Sequence, residues 1–325
     1  MKAWARIAVM ALVSATVLFP GLAAAQNFPT KPIRMIVPYA PGGNVDISAR
    51  IVGPALTELL GQTVIVDNRP GGGGNVGAGL VAKGTPDGYT LLVGSSGPLS
   101  VNPIVFKDTP YDSVKDFAPV SMVQVVPLVL TVSPKFAVGL VKELIDRAKS
   151  QPGKITIASA GTGTTNHFAI ELFSSMTGAK LLHIPYKGSG PALGELLGGQ
   201  VNTMIDQLTS SMGFIKDGRL KVIAVTAAKR VAALPDVPTL AESGVPGYEA
   251  STYLGILAPA GTPRDIVMKL NAALIKVMDM PAVQERFRTL GADPGASTPE
   301  QFGKVIREEL NKWRNLARTA NLKFD

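Results

Sequence analysis

One unit that occurs twice constrains this chain more than any other feature: a short apolar run, a glycine-rich breaker, then apolar residues at helical spacing. In the first copy, Pro32 to Val37 runs into Pro38-Tyr39-Ala40-Pro41-Gly42-Gly43-Asn44, after which Ile51, Val52, Ala55, Leu56, Leu59 and Leu60 share one helix face. Gly61 ends that helix, Thr63 to Val66 gives a second strand, Gly71 to Gly74 a second glycine turn, and Tyr89 to Val93 a third strand. In the second copy, Lys154 to Ala158 leads into Ala160-Gly161-Thr162-Gly163-Thr164, with Phe168, Leu172, Phe173 and Met176 on the following helix and Gly178 at its end. Leu181 to Ile184, the turn Lys187-Gly188-Ser189-Gly190, a helix over Ala192 to Leu197 and a strand over Val201 to Ile205 complete the repeat.

Strands alternating with helices at this spacing need right-handed crossovers and parallel pairing, so the expected fold is α/β: two doubly wound lobes joined by crossover strands. The length of 325 residues suits two such units. Val120 to Val132 would carry the chain into the second lobe and Ser251 to Ala258 would bring it back, giving lobe 1 as 26–130 plus 250–325 and lobe 2 as 131–249. A helix starting at Thr262-Pro263 would bury Ile266, Leu270, Leu274 and Val277. Thr298-Pro299-Glu300-Gln301 carries a capping box with proline at the first helical position, and the helix it opens presents Phe302, Ile306, Leu310, Trp313 and Ala317.

Residues 1–25 read as a cleaved secretory leader: Lys2 and Arg6, then the apolar run Ile7 to Phe19, then Ala23-Ala24-Ala25 before the cut. That run is shorter than the about 20 residues a bilayer span needs, and Pro20-Gly21 breaks it. The mature protein is therefore expected outside the cytoplasm. Of the net charge of +8, two cations leave with the leader, and the rest is spread out. The charges from Lys304 to Lys323 are interleaved with Glu308 and Glu309, which fits a solvated helix face and not a nucleic-acid surface.

Several chemistries are excluded by what the chain lacks. With no Cys and two His, thiolate metal sites, iron–sulfur clusters and cysteine nucleophiles are out and imidazole metal chemistry is poorly supplied, so neither metal nor cofactor is expected. No P-loop pattern occurs. Gly72 to Gly77 matches a dinucleotide fingerprint in form, but no acidic residue follows about 20 positions on. Gly94-Ser95-Ser96-Gly97 is not a nucleophile elbow.

What remains is the pair of turns. Each opens a helix, so free N–H groups and the positive dipole end converge beyond the carboxyl ends of the strands, where open sheets bind ligands. If the lobes face each other, Ala40 to Asn44 and Ala160 to Thr165 form opposed anion cradles, with Ser95, Ser96, Ser159, Thr164 and Thr165 supplying hydroxyls. A hydrogen bond to a charged group contributes about 1.5–3 kcal/mol and micromolar binding needs about 8 kcal/mol, so four to six such donors suffice without a cationic side chain. Asp46, in the first helical turn, could favour the dipole or accept from a ligand donor; His167 sits similarly after the second turn. His183 lies in an apolar strand and reads as structural, while Asp206 ends a strand at the same cleft edge or caps the next helix. The competing reading is a secreted hydrolase or isomerase of a small carboxylic acid derivative using Ser96 with His167.

The motifs Pro38-Tyr39-Ala40-Pro41-Gly42-Gly43 with Asp46 and Ala49-Arg50, Asn68-Arg69-Pro70-Gly71-Gly72, Pro86-Asp87-Gly88-Tyr89, Ser159-Ala160-Gly161 with His167, Ile184-Pro185-Tyr186-Lys187-Gly188 and Leu234-Pro235-Asp236-Val237-Pro238-Thr239 run in order along the mature chain. In this the chain resembles the Bug-type (TctC-like) substrate-binding proteins of tripartite tricarboxylate transporters. The resemblance implies a periplasmic two-lobed receptor, periplasmic-binding-protein-like (type II-like) in fold, that closes on a small organic carboxylate with the help of ordered waters. It further implies delivery to a membrane permease, with a sensor-kinase partner in some members. Carried over by position, it implies a first turn of Tyr39, Gly42, Gly43 and Asp46, a second of Ser159, Gly161, Thr164, Thr165 and His167, and pocket lining from Ser95, Ser96, Asn102 and Asp206.

Overall fold

The computed structural model describes residues 28–320 and 322. The leader expected over residues 1–25 lies outside them. The first repeat folds as β1 (Ile33–Val37), α1 (Asn44–Leu60), β2 (Val64–Asn68), α2 (Asn75–Ala82) and β3 (Thr90–Ser95), followed by the long strand β4 (Phe117–Val132). The second comprises α3 (Val141–Ser150), β5 (Thr156–Ser159), α4 (Thr165–Thr177), β6 (Leu182–Pro185), α5 (Ser189–Gly198), β7 (Thr203–Gln207), α6 (Leu208–Lys216) and β8 (Lys221–Val225). The chain ends with β9 (Ser251–Pro259), α7 (Arg264–Met278), α8 (Pro281–Thr289), the short β10 (Asp293–Pro294) and α9 (Pro299–Thr319).

The strands form one curled ten-stranded sheet ordered β2-β1-β3-β9-β4-β7-β5-β6, with β8 and β10 also on β4. Within each repeat the pairing is parallel, β1 with β2 and β3, β5 with β6 and β7. The reason is legible in β1, whose residues are buried apart from Arg34, as a strand covered by helices on both faces must be. The crossover strands are antiparallel: β9 joins β3 to β4, and β4 pairs β9 over Phe117–Pro127 before pairing β7 and β8 over Leu128–Val132. A single 16-residue strand thus belongs to both lobes. Gly61 and Gly178 end α1 and α4 in the left-handed conformation, at φ 67° and 70°, the glycine stops expected of them.

The last helix contributes to two hydrophobic clusters. At about 1.5 Å per residue, α9 is about 30 Å long. Phe302 and Ile306 pack with Ile36, Leu92 and Leu257 of the first lobe, whereas Trp313 and Ala317 pack with Val132 and Phe168 of the second. The ring of Trp313 meets Phe168 edge-on at 4.6 Å, so its removal opens a cavity in lobe 2 although the helix enters from lobe 1.

Candidate functional site

The first turn is shaped by Asp46. Its Oδ2 accepts from the N–H of Gly42 at 3.0 Å, Arg50 Nε lies 3.1 and 3.0 Å from the two oxygens, and Asn68 Nδ2 donates to Oδ1 at 3.0 Å. Burial alone would raise this carboxyl; the hydrogen bonds from Arg50, Gly42 and Asn68 outweigh it and hold the group below its usual range. Gly42 sits at φ 86°, where an L side chain is strained. Gly43, the N-cap of α1, places no side chain on the helix end, which leaves the first N–H groups of α1 uncapped.

Asn44, the first residue of α1, is fixed by a relay. Ser48 Oγ donates to Asn44 O at 2.7 Å, so it accepts from Gln124 Nε2 at 2.8 Å, and Gln124 Nε2 also donates to Asn44 Oδ1 at 2.6 Å. The amide nitrogen of Asn44 is left buried and without a hydrogen-bond partner. An orphaned buried donor costs about 1–3 kcal/mol, which a ligand acceptor would recover.

In the second turn, Ser159 Oγ accepts from Gly161 N–H at 3.0 Å and lies 2.6 Å from His183 Nε2. Gly161 has φ 129°, and a Cβ there would stand 2.8 Å from Tyr186 O. Thr164 caps α4: its Oγ1 accepts from His167 N–H at 3.3 Å and donates to Gly161 O at 2.6 Å. His167 Nδ1 accepts from Gly163 N–H at 3.3 Å, and its ring stacks on His183 at 4.4 Å. Burial depresses both imidazoles, His167 to about 3 and His183 to about 4, so both are neutral at physiological pH.

The two turns face one another across the sheet, joined by two further helix starts. An inner cavity of about 20 Å³ lies among Tyr39, Gly43, Asn44 and Val45 from the start of α1, Ala160, Thr164, Thr165 and Asn166 from the start of α4, Ser189 from α5 and Gln207, the N-cap of α6. Four helix N-termini therefore converge on it, each equivalent to roughly half a positive charge. No Lys, Arg or His is among its lining residues. Tyr39 and Ala160 also border an outer chamber of about 230 Å³ walled by Gly71 to Gly74, Phe106, Gly161, Thr162, Pro185, Tyr186 and Lys187. Tyr39 lines both chambers, and its hydroxyl lies 3.3 Å from Gly73 O and 3.4 Å from Ser95 Oγ and is pushed up to about 12 by burial, hence a neutral donor.

The lobes are closed upon each other. Ala40 N–H donates to Lys187 O at 3.0 Å across the cleft. Such backbone approach needs glycine: a Cβ on Gly190 would lie 2.2 Å from Pro41 O, and one on Gly73 2.1 Å from Thr162 O.

Of the residues expected at the site, Tyr39, Gly43, Thr164 and Thr165 line the inner cavity and Gly161 the outer chamber. The others stand behind them, for reasons of local bonding. Ala40 gives its N–H to Lys187 and Gly42 gives its own to Asp46. Asp46 is spent on Gly42, Arg50 and Asn68. Ser95 meets Tyr39, and Ser96 Oγ accepts from Tyr253 N–H at 3.0 Å. Asn102 Nδ2 donates to Gly73 O and Asn75 Oδ1. Ser159 and His167 hold the second turn, and Asp206 lies beneath Ser189. Sequence reasoning includes Asn44 only as the last residue of the first cradle and assigns no binding role to Val45, Asn166, Ser189 and Gln207. Asn44 and Ser189 were signalled by their place after glycine breakers, whereas Gln207 passes straight from strand to helix with no breaker to mark it.

Opposed helix starts around a cavity poor in side-chain charge, between two lobes that close on it, define a solute-binding protein. A family model described as "Tripartite tricarboxylate transporter family receptor" (TctC) matches residues 48–322. The chain is 39% identical to Protein BugT of Bordetella pertussis over 98% of each chain. It is also similar to two solved Rhodopseudomonas palustris structures: Rpa4515 with adipate (37% identity, TM-score 0.88, covering 91% of this chain and 99% of that one) and MatC with bound malate (32%, TM-score 0.86, 89% and 99%). The chain belongs to the tripartite tricarboxylate transporter receptor family, whose members are periplasmic solute-binding receptors.

Proposed function

We propose that this protein captures a small organic carboxylate between its lobes, in the periplasm, and delivers it unchanged to the permease of a tripartite tricarboxylate-type transporter; a sensor kinase is a second candidate recipient. The observation that carries the reading is the buried, unpartnered amide of Asn44 among four converging helix N-termini. Such a cavity offers donors to a negative oxygen, and closure lets both lobes contribute. Relatives solved with adipate and malate support the ligand class. In this reading lobe 1 is 26–130 plus 250–325, lobe 2 is 131–249, α9 spans both, and residues 1–25 direct export. No helix among the described residues is long and apolar enough to cross a membrane.

A thermal-shift screen over mono-, di- and tricarboxylates tests it, since a ligand that binds the native state raises the melting temperature by mass action. Stabilisation by at least one member is expected; a flat response across the panel overturns the reading. A hydrolase would need Ser96 beside His167, yet Ser96 Oγ is engaged by Tyr253 N–H and the His167 ring lies on His183. Turnover of a bound acid derivative would reverse that judgement.

A further inference from the structure

Asp206 is fully buried at the end of β7, and every neighbour that reaches it donates. Ser189 Oγ donates to its Oδ1 at 2.5 Å and Asn166 Nδ2 to the same oxygen at 3.1 Å. Ser210 and Ser211 donate to Oδ2 at 2.6 and 3.0 Å from α6, and the N–H of Gln207 adds a further bond. The contacts are those of a carboxylate. Burial raises this group against the pull of those donors, and no cation compensates it. Opposite it, β4 places Val129. On α4, His167 follows Asn166, with Glu171 Oε1 3.7 Å from its Nε2 and the His183 ring stacked on it, and both imidazoles are neutral.

Ser189 connects this carboxylate to the inner cavity, and it also faces lobe 1, where a Cβ on Gly43 would lie 3.5 Å from Ser189 Cβ. With its proton given to Asp206, Ser189 shows the cavity lone pairs, which repel an anion. A ligand carboxylate in the cavity would place a second negative charge one hydroxyl away from the first.

We propose that anion capture is coupled to uptake of one proton by Asp206. The proton comes from solvent and settles on Oδ1. The neutral acid then donates to Ser189 Oγ, and the Ser189 O–H turns toward the ligand carboxylate. The repulsion is removed and the cavity gains a donor. This rests on the carboxylate-receptor reading and goes beyond it by assigning a proton as co-ligand and Asp206 and Ser189 as the positioning pair.

Titration calorimetry with malate, adipate and a set of simple mono- and dicarboxylates, between pH 6 and 8 and in buffers of different ionisation enthalpy, tests it. The chain has no Cys, and both its histidines are already neutral there. The wild-type enthalpy should vary linearly with buffer ionisation enthalpy with a slope approaching one proton taken up. Affinity should rise by up to tenfold per unit fall in pH. In Asp206→Asn, a neutral isostere, whatever affinity remains should show no buffer dependence and a flat pH profile. A wild-type slope of zero, or a slope unchanged in Asp206→Asn, overturns the proposal while leaving the receptor reading intact; no heat with any probe at any pH contradicts the receptor reading itself. Should the variant not fold, infrared difference spectra of the wild type with and without the bound acid decide, because a new protonated-carboxyl band is required and its absence refutes the coupling.

Discussion

Gly190→Ala isolates closure from both folding and ligand contact. Gly190 is the second residue of α5 in helical geometry, so alanine fits the backbone of lobe 2 and costs it nothing. In the closed molecule, however, the new methyl would lie 2.2 Å from the carbonyl oxygen of Pro41 in lobe 1, more than 1 Å inside ordinary contact, and the second neighbour is Pro41 backbone carbon at 3.3 Å. Backbone cannot step aside as a side-chain tip does, so the lobes must part by about the missing ångström. That separation breaks the Ala40 to Lys187 hydrogen bond and lifts the starts of α4, α5 and α6 away from a ligand seated on α1. Losing about two charge-assisted hydrogen bonds at about 1.5–3 kcal/mol each predicts about 3–6 kcal/mol, or about 10²- to 10⁴-fold in affinity. Calorimetry with the tightest carboxylate from the screen measures this, with circular dichroism and the ligand-free melting temperature as fold controls. Wild-type affinity in a well-folded Gly190→Ala protein would refute closure as the source of binding energy.

Three further outcomes follow from the same geometry. Asn44→Ala, which deletes the orphaned amide, should weaken carboxylate binding about 10- to 100-fold in calorimetry with little loss of stability, and Asn44→Asp, which adds a like charge, should weaken it more. Gly43→Val places branched methyls in the cavity beside Ser189 and should abolish the ligand-induced thermal shift while the ligand-free melting temperature stays near wild type. His167 and His183 are held neutral when folded, at about 3 and about 4, against about 6.5 when unfolded, so their contribution is full above pH 6.5 and is lost as pH falls toward 4. At pH 5 the loss is about 2 kcal/mol for each ring. Urea unfolding at pH 7 and pH 5 should therefore show a loss that the His167→Gln, His183→Gln double variant lacks.

Much of this architecture is legible in the sequence because strand, glycine turn and helix each leave a local mark. The turns after β1 and β5 are written in Pro, Gly and Thr, and the capping box of α9 forms as Thr298 and Gln301 predict. What was not legible is three-dimensional. Two anion cradles were readable, whereas four helix N-termini meet, because the start of α6 follows Gln207 without a breaker and nothing local says that Ser189 faces Gly43. From its position at the end of a strand Asp206 can face the cleft edge or cap the next helix; Ser210 and Ser211 in the first turn of α6 both donate to its Oδ2, a contact no local sequence pattern announces. Similarly, Asp46 belongs to the helix start, yet Arg50 and Asn68 claim its oxygens and convert a candidate ligand contact into the brace of the turn. The periodicity of α9 gave its buried face and could not say that one face serves two lobes.

The central claim is that peptide amides at helix starts, contributed by both lobes, hold a carboxylate. A crystal structure of the protein with the carboxylate that stabilises it most tests this directly. The account predicts carboxylate oxygens within hydrogen-bonding distance of Asn44 Nδ2 and of backbone N–H groups at the starts of α1 and α4. A ligand seated elsewhere, or gripped by lysine or arginine side chains with those amides left to solvent, would contradict it.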